Sequence, residues 1–482
     1  MKKGFRFYLT LWLVKLTTKI MKLLGRKATH LPGVLAYRLC PDILSRIGMP
    51  NKTIAITGTN GKTTTANMIS DFLKSKNISY MHNNYGSNTV HGVIASFISF
   101  CNLKGNVDRE FGIIEIDERS SYRIYKDFTP DILVVTNLFR DSSKRNAHAE
   151  YIFDIIDDAT PDSTKLILNS DDLISSRLKP NSDRRFYSID LLSGEKEIRD
   201  SRIKDIENCP ICNHRLIPEF IRYNHIGRYH CENCGFKSPK ADYIIHKADL
   251  IDKTAEVTHG NKTYSFKLQS SNIVDLYNFL SAIVALSEVG FSMEELEKDF
   301  HGVEVVKSRY NDQIIGDKRF VYMMAKAINP ISASRTFDYI RKQEGNVAII
   351  FGNSKHSIGY MNSENTAWLY DLDFNYLLGD NIKQFITCGK RHKDQEVALL
   401  LTGIDKSKII DIDGWEGIED VIDYDNIDTI FLLNDIDTLD LTGKVKSKIE
   451  GKLKQRIRNE NWNIISWYSK SFWWDWSCRV YN

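Results

Sequence analysis

The sequence predicts an α/β fold: a central phosphate-binding domain on a parallel sheet, an inserted four-cysteine ribbon, and a C-terminal α/β domain. Three observations lead there. Short apolar runs, "TIAIT", "FGIIEID", "DILVVTN" and "KLILNSDD", alternate with helix-like stretches between about residues 50 and 170, the pattern of a parallel sheet covered by helices. A glycine-containing stretch, "ITGTNGKTTT", joins the first run to a helix. A second set of runs, "NVAIIFGN", "QFITCG" and "DTIFLLND", follows in the last third of the chain.

The N-terminal region, 1–45, is basic. Its first 27 residues hold eight Lys/Arg, and no acid precedes Asp42. The uncharged run from Phe7 to Val14 is too short to span a bilayer, and no small-residue cleavage site follows it, which argues against a secretory signal. An amphipathic basic helix fits, either resting on an anionic membrane surface or packed on the protein with its basic face in water. Over the whole chain of 482 residues the net charge is +3, so no global polyelectrolyte partner is implied. Four of the eight cysteines form two CxxC pairs, which points to a reducing, cytoplasmic setting and a metal site rather than a disulfide framework.

The central domain is expected over 46–305. After the strand ending at Ile56, Gly58 and Gly61 permit a tight turn in which backbone N–H groups converge. The helix that follows places Met68, Ile69 and Phe72 on one face. Lys62 can reach outer phosphates and the Thr63 hydroxyl can ligate Mg²⁺. Only Thr59 and Asn60 separate the glycines, two fewer residues than in the usual phosphate loop. Ligands of such sheets bind beyond the carboxyl ends of the strands. Thr57–Thr64, Glu115–Glu118, Thr136–Asp141 and Asn169–Asp172 should therefore share one edge.

An insert at about 205–240 reads Cys209-x2-Cys212, eighteen residues, then Cys231-x2-Cys234. Two such knuckles close a tetrahedral Zn²⁺ site with no open position, hence a structural one. His214, His225 and His230 lie nearby, but four cysteines suffice. Near-neutral net charge favours a local buttress over a nucleic-acid module. "DLYNFLSAIVALSEVGFSMEELEKDF" predicts two helices that end this domain, and "SRYN" marks a junction. The C-terminal α/β domain is expected over 306–450, followed by a tail, 451–482, with five of the eight tryptophans.

"TGTNGKTTT", the acidic strand end and the later "TN" resemble the Mur ligases and folylpolyglutamate synthetases. These three-domain enzymes activate a carboxylate with ATP and couple it to an amine. "LLGRKATHLPGVLAYRLCPDIL", "NNYGSNTVHGV", "EIDE", "TNLFRD", "LNSDD", the cysteine insert, "LYNFLSAIVAL" and "WLYDLDF" narrow the resemblance to the MurT-type ligase subunits of lipid II isoglutaminyl synthase, from about residue 20 to about 430. The resemblance implies a Mur-ligase-like fold and a role in peptidoglycan synthesis at the inner face of the membrane. It implies ATP-dependent amidation of the D-glutamate α-carboxylate of lipid II through an acyl phosphate. It also implies ammonia from a GatD-like glutaminase partner. Gly58, Thr59, Asn60, Gly61, Lys62, Thr63 and Thr64 would hold the ATP phosphates. Thr63 and Glu115, or alternatively Glu118, would hold Mg²⁺. Asn137 and Asp141 would lie on the substrate side, Asn278 against the nucleotide, and Arg309 at the domain junction reaching the phosphates. Asp371 and Asp373 would lie near the partner surface.

Several positions depart from that pattern: Lys144, Asn311, and Lys326 with Asn329. Most telling are Asn362 and Asn365, which stand where the family carries acids, one of them taken to complete the glutaminase triad. A neutral amide cannot be the anionic partner of a histidine. A paralogue that activates another carboxylate without a glutaminase is therefore the alternative, and a non-catalytic nucleotide-binding scaffold a third reading.

Overall fold

The computed structural model describes residues 3–26, 29–84, 88–140, 148–198, 201–270, 272–300, 310–325, 329–353, 366–434 and 438–479, with side chains to 459, Tyr310 excepted. These fall into two compact units, one ending at Phe300 and one beginning at Tyr310.

The first unit is built on a nine-stranded sheet. Its strands are β1 (Lys52–Thr57), β2 (Tyr80–His82), β3 (Phe111–Glu115), β4 (Ile132–Val135), β5 (Lys165–Asn169) and β6 (Arg184–Ile189). After a separate hairpin, β7 (Ile217–Tyr223) and β8 (Ile226–His230), come β9 (Tyr243–Asp249), β10 (Thr254–His259) and β11 (Lys262–Lys267). The order is β11-β10-β9-β6-β5-β4-β1-β3-β2. Pairing is parallel from β2 through β9, and antiparallel only at β10 and β11. Ile54 pairs with Ile113 on one side and Ile132 on the other. Parallel pairing brings the ends of β1, β3, β4 and β5 to one edge, as expected.

Alternation sorts each strand's apolar residues to two faces. Ala55, Ile114, Leu133, Val135, Leu166 and Leu168 join one buried cluster with Phe7, Leu11, Val14, Val93 and Phe97. The helix Phe5–Leu23 thus packs its Phe7–Leu11–Val14 face into this core. The opposite face receives the helices Lys62–Ser75 and Ile273–Glu288, which pack on each other. The second of these is capped by Asn272, whose side chain accepts from the Val274 N–H.

The second unit has a six-stranded sheet from β12 (Tyr310–Ile315), β13 (Lys318–Met324), β14 (Val347–Asn353), β15 (Ile382–Gly389), β16 (Ile409–Asp411) and β17 (Thr429–Asn434). The order is β12-β13-β17-β14-β15-β16, parallel except at β12. Apolar clusters cover both faces. A single helix, Leu439–Arg479, runs from this unit through the tryptophan-rich tail.

Candidate functional site

The loop after β1 is built by backbone conformations only glycine accepts easily. Gly58 has φ +125° and Gly61 φ +92°. A Cβ at Gly58 would overlap the Thr136 hydroxyl, and one at Gly61 would overlap the Asn278 side-chain oxygen. The neighbouring strand end locks the loop. Asn60 N–H donates to Asn137 Oδ1 at 3.0 Å, Asn137 Nδ2 donates back to the Asn60 carbonyl at 3.1 Å, and Thr136 Oγ1 donates to the same carbonyl at 2.6 Å. The Thr59 hydroxyl accepts from Phe139 N–H at 2.9 Å. The helix begins at Lys62, so its unpaired first-turn amides, Thr64's among them, open at the loop.

Lys62, Thr63 and two acids converge there. Lys62 Nζ donates to the Gly58 carbonyl and to Glu118 Oε1, the latter at 3.0 Å. Thr63 Oγ1 donates to Glu115 Oε2 at 2.8 Å. Both acids are buried. Burial raises the Glu118 carboxyl pKa, while the Lys62 charge opposes that rise. The two carboxylates thus have different partners. Glu115 stands with the hydroxyl, as an Mg²⁺ ligand pair would, and Glu118 stands with the ammonium. Hard oxygen donors of this kind suit Mg²⁺, which keeps several waters and needs few protein ligands.

Sequence reasoning missed the groups that hold Glu115. His82 Nε2 lies 3.3 Å from Glu115 Oε1. Asn83 accepts from the Glu115 N–H at 2.7 Å and donates to its carbonyl at 2.8 Å. His82 ends β2, which pairs with β3, and Asn83 follows it; the histidine and asparagine in "YMHNN" were the available signal. Asn278 is buried beside Gly61 and also donates to Asp275 within its own helix at 3.3 Å. Asp371 and Asp373 belong to the second unit, where Asp373 is buried with its N–H on Ser334 Oγ at 2.9 Å. Asp141, Lys144, Arg309, Lys326, Asn362 and Asn365 lie outside the described residues.

The four cysteines meet. The Sγ atoms of Cys209, Cys212, Cys231 and Cys234 all lie within 4.8 Å of one another. Tetrahedral Zn–S bonds require sulfurs about 3.8 Å apart, so the set fits one ion. Each knuckle folds alike: Asn213 and Gly235, four residues after Cys209 and Cys231, both have positive φ and donate to those cysteines' carbonyls.

Asp171 and Asp172 follow β5, and Asp172 Oδ2 accepts from the Leu138 N–H at 2.8 Å, beside the Asn137 that locks the phosphate loop. They anchor the insert. Arg222, fully buried on β7, reaches the Ile189 carbonyl at 3.0 Å and Glu195 Oε2 at 3.0 Å, with Asp171 Oδ2 at 3.8 Å. His225, in the β7–β8 turn, bonds Asp172 Oδ1 at 3.0 Å, and Asp205 Oδ2 lies 3.7 Å from its other nitrogen. Burial alone would lower the His225 pKa, but the two carboxylates outweigh it and raise it to about 9. The imidazolium therefore adds stability that is fully present below its unfolded pKa of roughly 6.5 and is lost as pH rises through about 9. The protein should melt progressively lower across that window. His225→Gln should flatten the decline, read as wild type minus variant; parallel curves would show that His225 is neutral throughout.

Two family models match the chain: Mur ligase middle domain over residues 56–236, and MurT ligase C-terminal over residues 327–435. The chain is 31% identical over 422 residues to the lipid II isoglutaminyl synthase (glutamine-hydrolyzing) subunit MurT of Staphylococcus aureus (strain COL), covering 87% of this chain and 93% of that one. The subunit of the same name from Streptococcus pneumoniae is 26% identical over 419 residues, covering 86% and 91%. Among solved structures, the pseudomurein peptide ligase type C from Methanothermus fervidus aligns with a TM-score of 0.64 at 20% identity over 85% of this chain and 81% of that one. The MurF ligase from Thermotoga maritima, in complex with ADP, aligns with a TM-score of 0.57 at 14% identity over 88% and 85%. Those two likenesses establish the fold, and the Mur ligase family uses ATP and Mg²⁺. The chain belongs to the MurT family within the Mur ligases and is an ATP-dependent ligase.

Proposed function

We propose that this chain is the ligase subunit of a lipid II isoglutaminyl synthase. The α-carboxylate of D-glutamate in lipid II attacks the γ-phosphorus of ATP, ADP leaves, and an acyl phosphate forms. Ammonia from a GatD-type glutaminase then attacks the acyl carbon and expels phosphate, giving D-isoglutamine. The observation that carries this reading is the phosphate loop with Thr63 against Glu115, in a chain nearly a third identical to the S. aureus subunit.

A carboxylate approaching a polyanion needs the developing charge neutralised. In this reading Lys62, the loop amides and Arg309 contact the transferring phosphoryl group. Thr63 and Glu115 hold Mg²⁺, which screens phosphate charge when bound, and His82 with Asn83 fixes the Glu115 orientation. Asn137, through the Asn60 amide, sets the loop. Asn278 stands at the nucleotide side, Asp141 at the acceptor side and Asp371 toward the partner. The four cysteines hold a structural Zn²⁺. Residues 46–305 then form the nucleotide-binding domain and 306–450 the domain that meets acceptor and partner, at the cytoplasmic face of the membrane.

The test supplies purified chain, ATP and lipid II with either ammonium salt or glutamine plus a GatD-type glutaminase. Product is read by mass, as the exchange of a hydroxyl for an amide. Amidation in both arms is expected. Amidation with ammonium alone would mean that Asn362 and Asn365 mark a lost glutaminase coupling. ATP binding with no amidation in either arm would overturn the reading and move the search to other carboxylates.

A further inference from the structure

The helix Phe5–Leu23 has two apolar faces, and only one is covered. Phe7, Leu11 and Val14 are buried in the first unit's core. On the other side Leu9, Trp12, Leu13, Leu16, Ile20 and Leu23 are exposed, from 43% at Leu13 to 78% at Leu23. Their spacing of three and four residues makes one continuous stripe along a helix about 28 Å long. Neighbouring Leu103 adds to it at 67% exposure. Soluble surfaces seldom leave so long a contiguous apolar strip in water.

The charge around the strip says what covers it. Lys15, Lys19 and Lys22 lie along one flank of the helix, Arg6 along the other, and Arg26 just beyond its end, while no acid occurs before Asp42. The helix is also pinned. Lys3 Nζ donates to the Lys104 and Gly105 carbonyls at 3.1 Å each, Arg6 to the Leu39 carbonyl at 2.6 Å, and Trp12 Nε1 to the Leu103 carbonyl at 3.1 Å. It is therefore held as a ridge on the domain. Among the described residues no helix is long and apolar enough to cross a membrane. A second copy would press like-charged helix flanks together.

We propose that this ridge docks the protein flat on an anionic lipid surface, its apolar stripe among the acyl chains and its lysines at the headgroups. Of the two arrangements the sequence left open, a basic helix on an anionic membrane or a helix packed with its basic face in water, this is the first: one face packs on the domain, and the exposed face is apolar with a basic rim. Docking on lipid requires no ATP, acceptor or glutaminase, so it stands or falls apart from the proposed reaction.

The full chain should co-sediment with vesicles containing phosphatidylglycerol and much less with pure phosphatidylcholine, and rising salt should weaken the binding. Leu9→Gln/Leu13→Gln/Leu16→Gln, all exposed sites, should keep the melting temperature and bind about tenfold or more weakly. Lys19→Glu/Lys22→Glu should lose binding by a similar factor. Equal binding by the triple variant and wild type would overturn the proposal. So would a chain that ignores vesicles but forms a dimer that the triple variant dissociates, since a second copy would then be the occupant.

Discussion

Lys62→Ala should lower turnover by about 10²–10³-fold, the usual loss when one preorganised donor to a transition-state oxyanion is removed. It should also lower the melting temperature, and the two losses have different causes. Lys62 Nζ is the cation beside Glu118, and only 5% of the Glu118 side chain is exposed. Removing one partner of a fully buried pair costs on the order of 3–5 kcal/mol. The cost here should be smaller, because burial already raises the Glu118 pKa and the orphaned carboxyl can take up a proton. The double variant Lys62→Ala/Glu118→Gln separates the effects. It should recover most of the melting temperature and none of the turnover, measured by phosphate release with lipid II. If the double variant regained turnover, Lys62 would act by neutralising Glu118 and the phosphate-loop argument would fail. A bound phosphate must compete with Glu118 for the ammonium, so Glu118→Gln alone should tighten nucleotide binding.

The loop was legible because its causes are local. Two glycines, a lysine and a threonine stand within six residues, and the positive φ at Gly58 and Gly61 is what that spacing implies. The parallel strands were legible for the same reason, each being a short apolar run. What could not be read was who meets whom across the sheet. His82 reaches Glu115 only because β2 pairs with β3, a register that depends on the whole fold. Asp171 and Asp172 illustrate the converse. Their place just after β5 suggested ligand contact, yet the Tyr277 hydroxyl and the Ile189 N–H hold the Asp171 carboxylate, and His225, some fifty residues later, holds that of Asp172. Glu115 and Glu118 likewise part only in the folded chain. The two lie three residues apart in one acidic run, and only the turn after β3 turns one toward Thr63 and the other toward Lys62.

Zinc removal should reach the phosphate loop, although the four cysteines touch no part of it. The path is a chain of contacts. Cys209, Cys212, Cys231 and Cys234 close the two knuckles on either side of the β7–β8 hairpin, whose turn presents His225. The Gly227 N–H donates to the Asp171 carbonyl at 2.8 Å and fixes the hairpin to the segment just after β5. The His225 ring lies 4.5 Å, centroid to centroid, from the ring of Phe139. Phe139 in turn exchanges hydrogen bonds with the Thr59 hydroxyl, its N–H donating at 2.9 Å and its carbonyl accepting at 3.2 Å. Next along the chain, Arg140 pairs with Asp205, which also faces His225. Structural zinc contributes folding free energy directly, on the order of 10 kcal/mol in isolated fingers. Here the buried Arg222 and His225 contacts retain part of the fold, so Cys231→Ser should lower the first unit's melting temperature by roughly 10 °C rather than unfold it. Elemental analysis should find one zinc per wild-type chain and none in the variant. ATP affinity, measured by calorimetry on the folded variant, should fall several-fold because Thr59 loses its support. A variant that lacks zinc, melts lower and yet binds ATP as wild type does would confine the ribbon to holding its own hairpin, and would show that Asn137 and Thr136 alone set the loop.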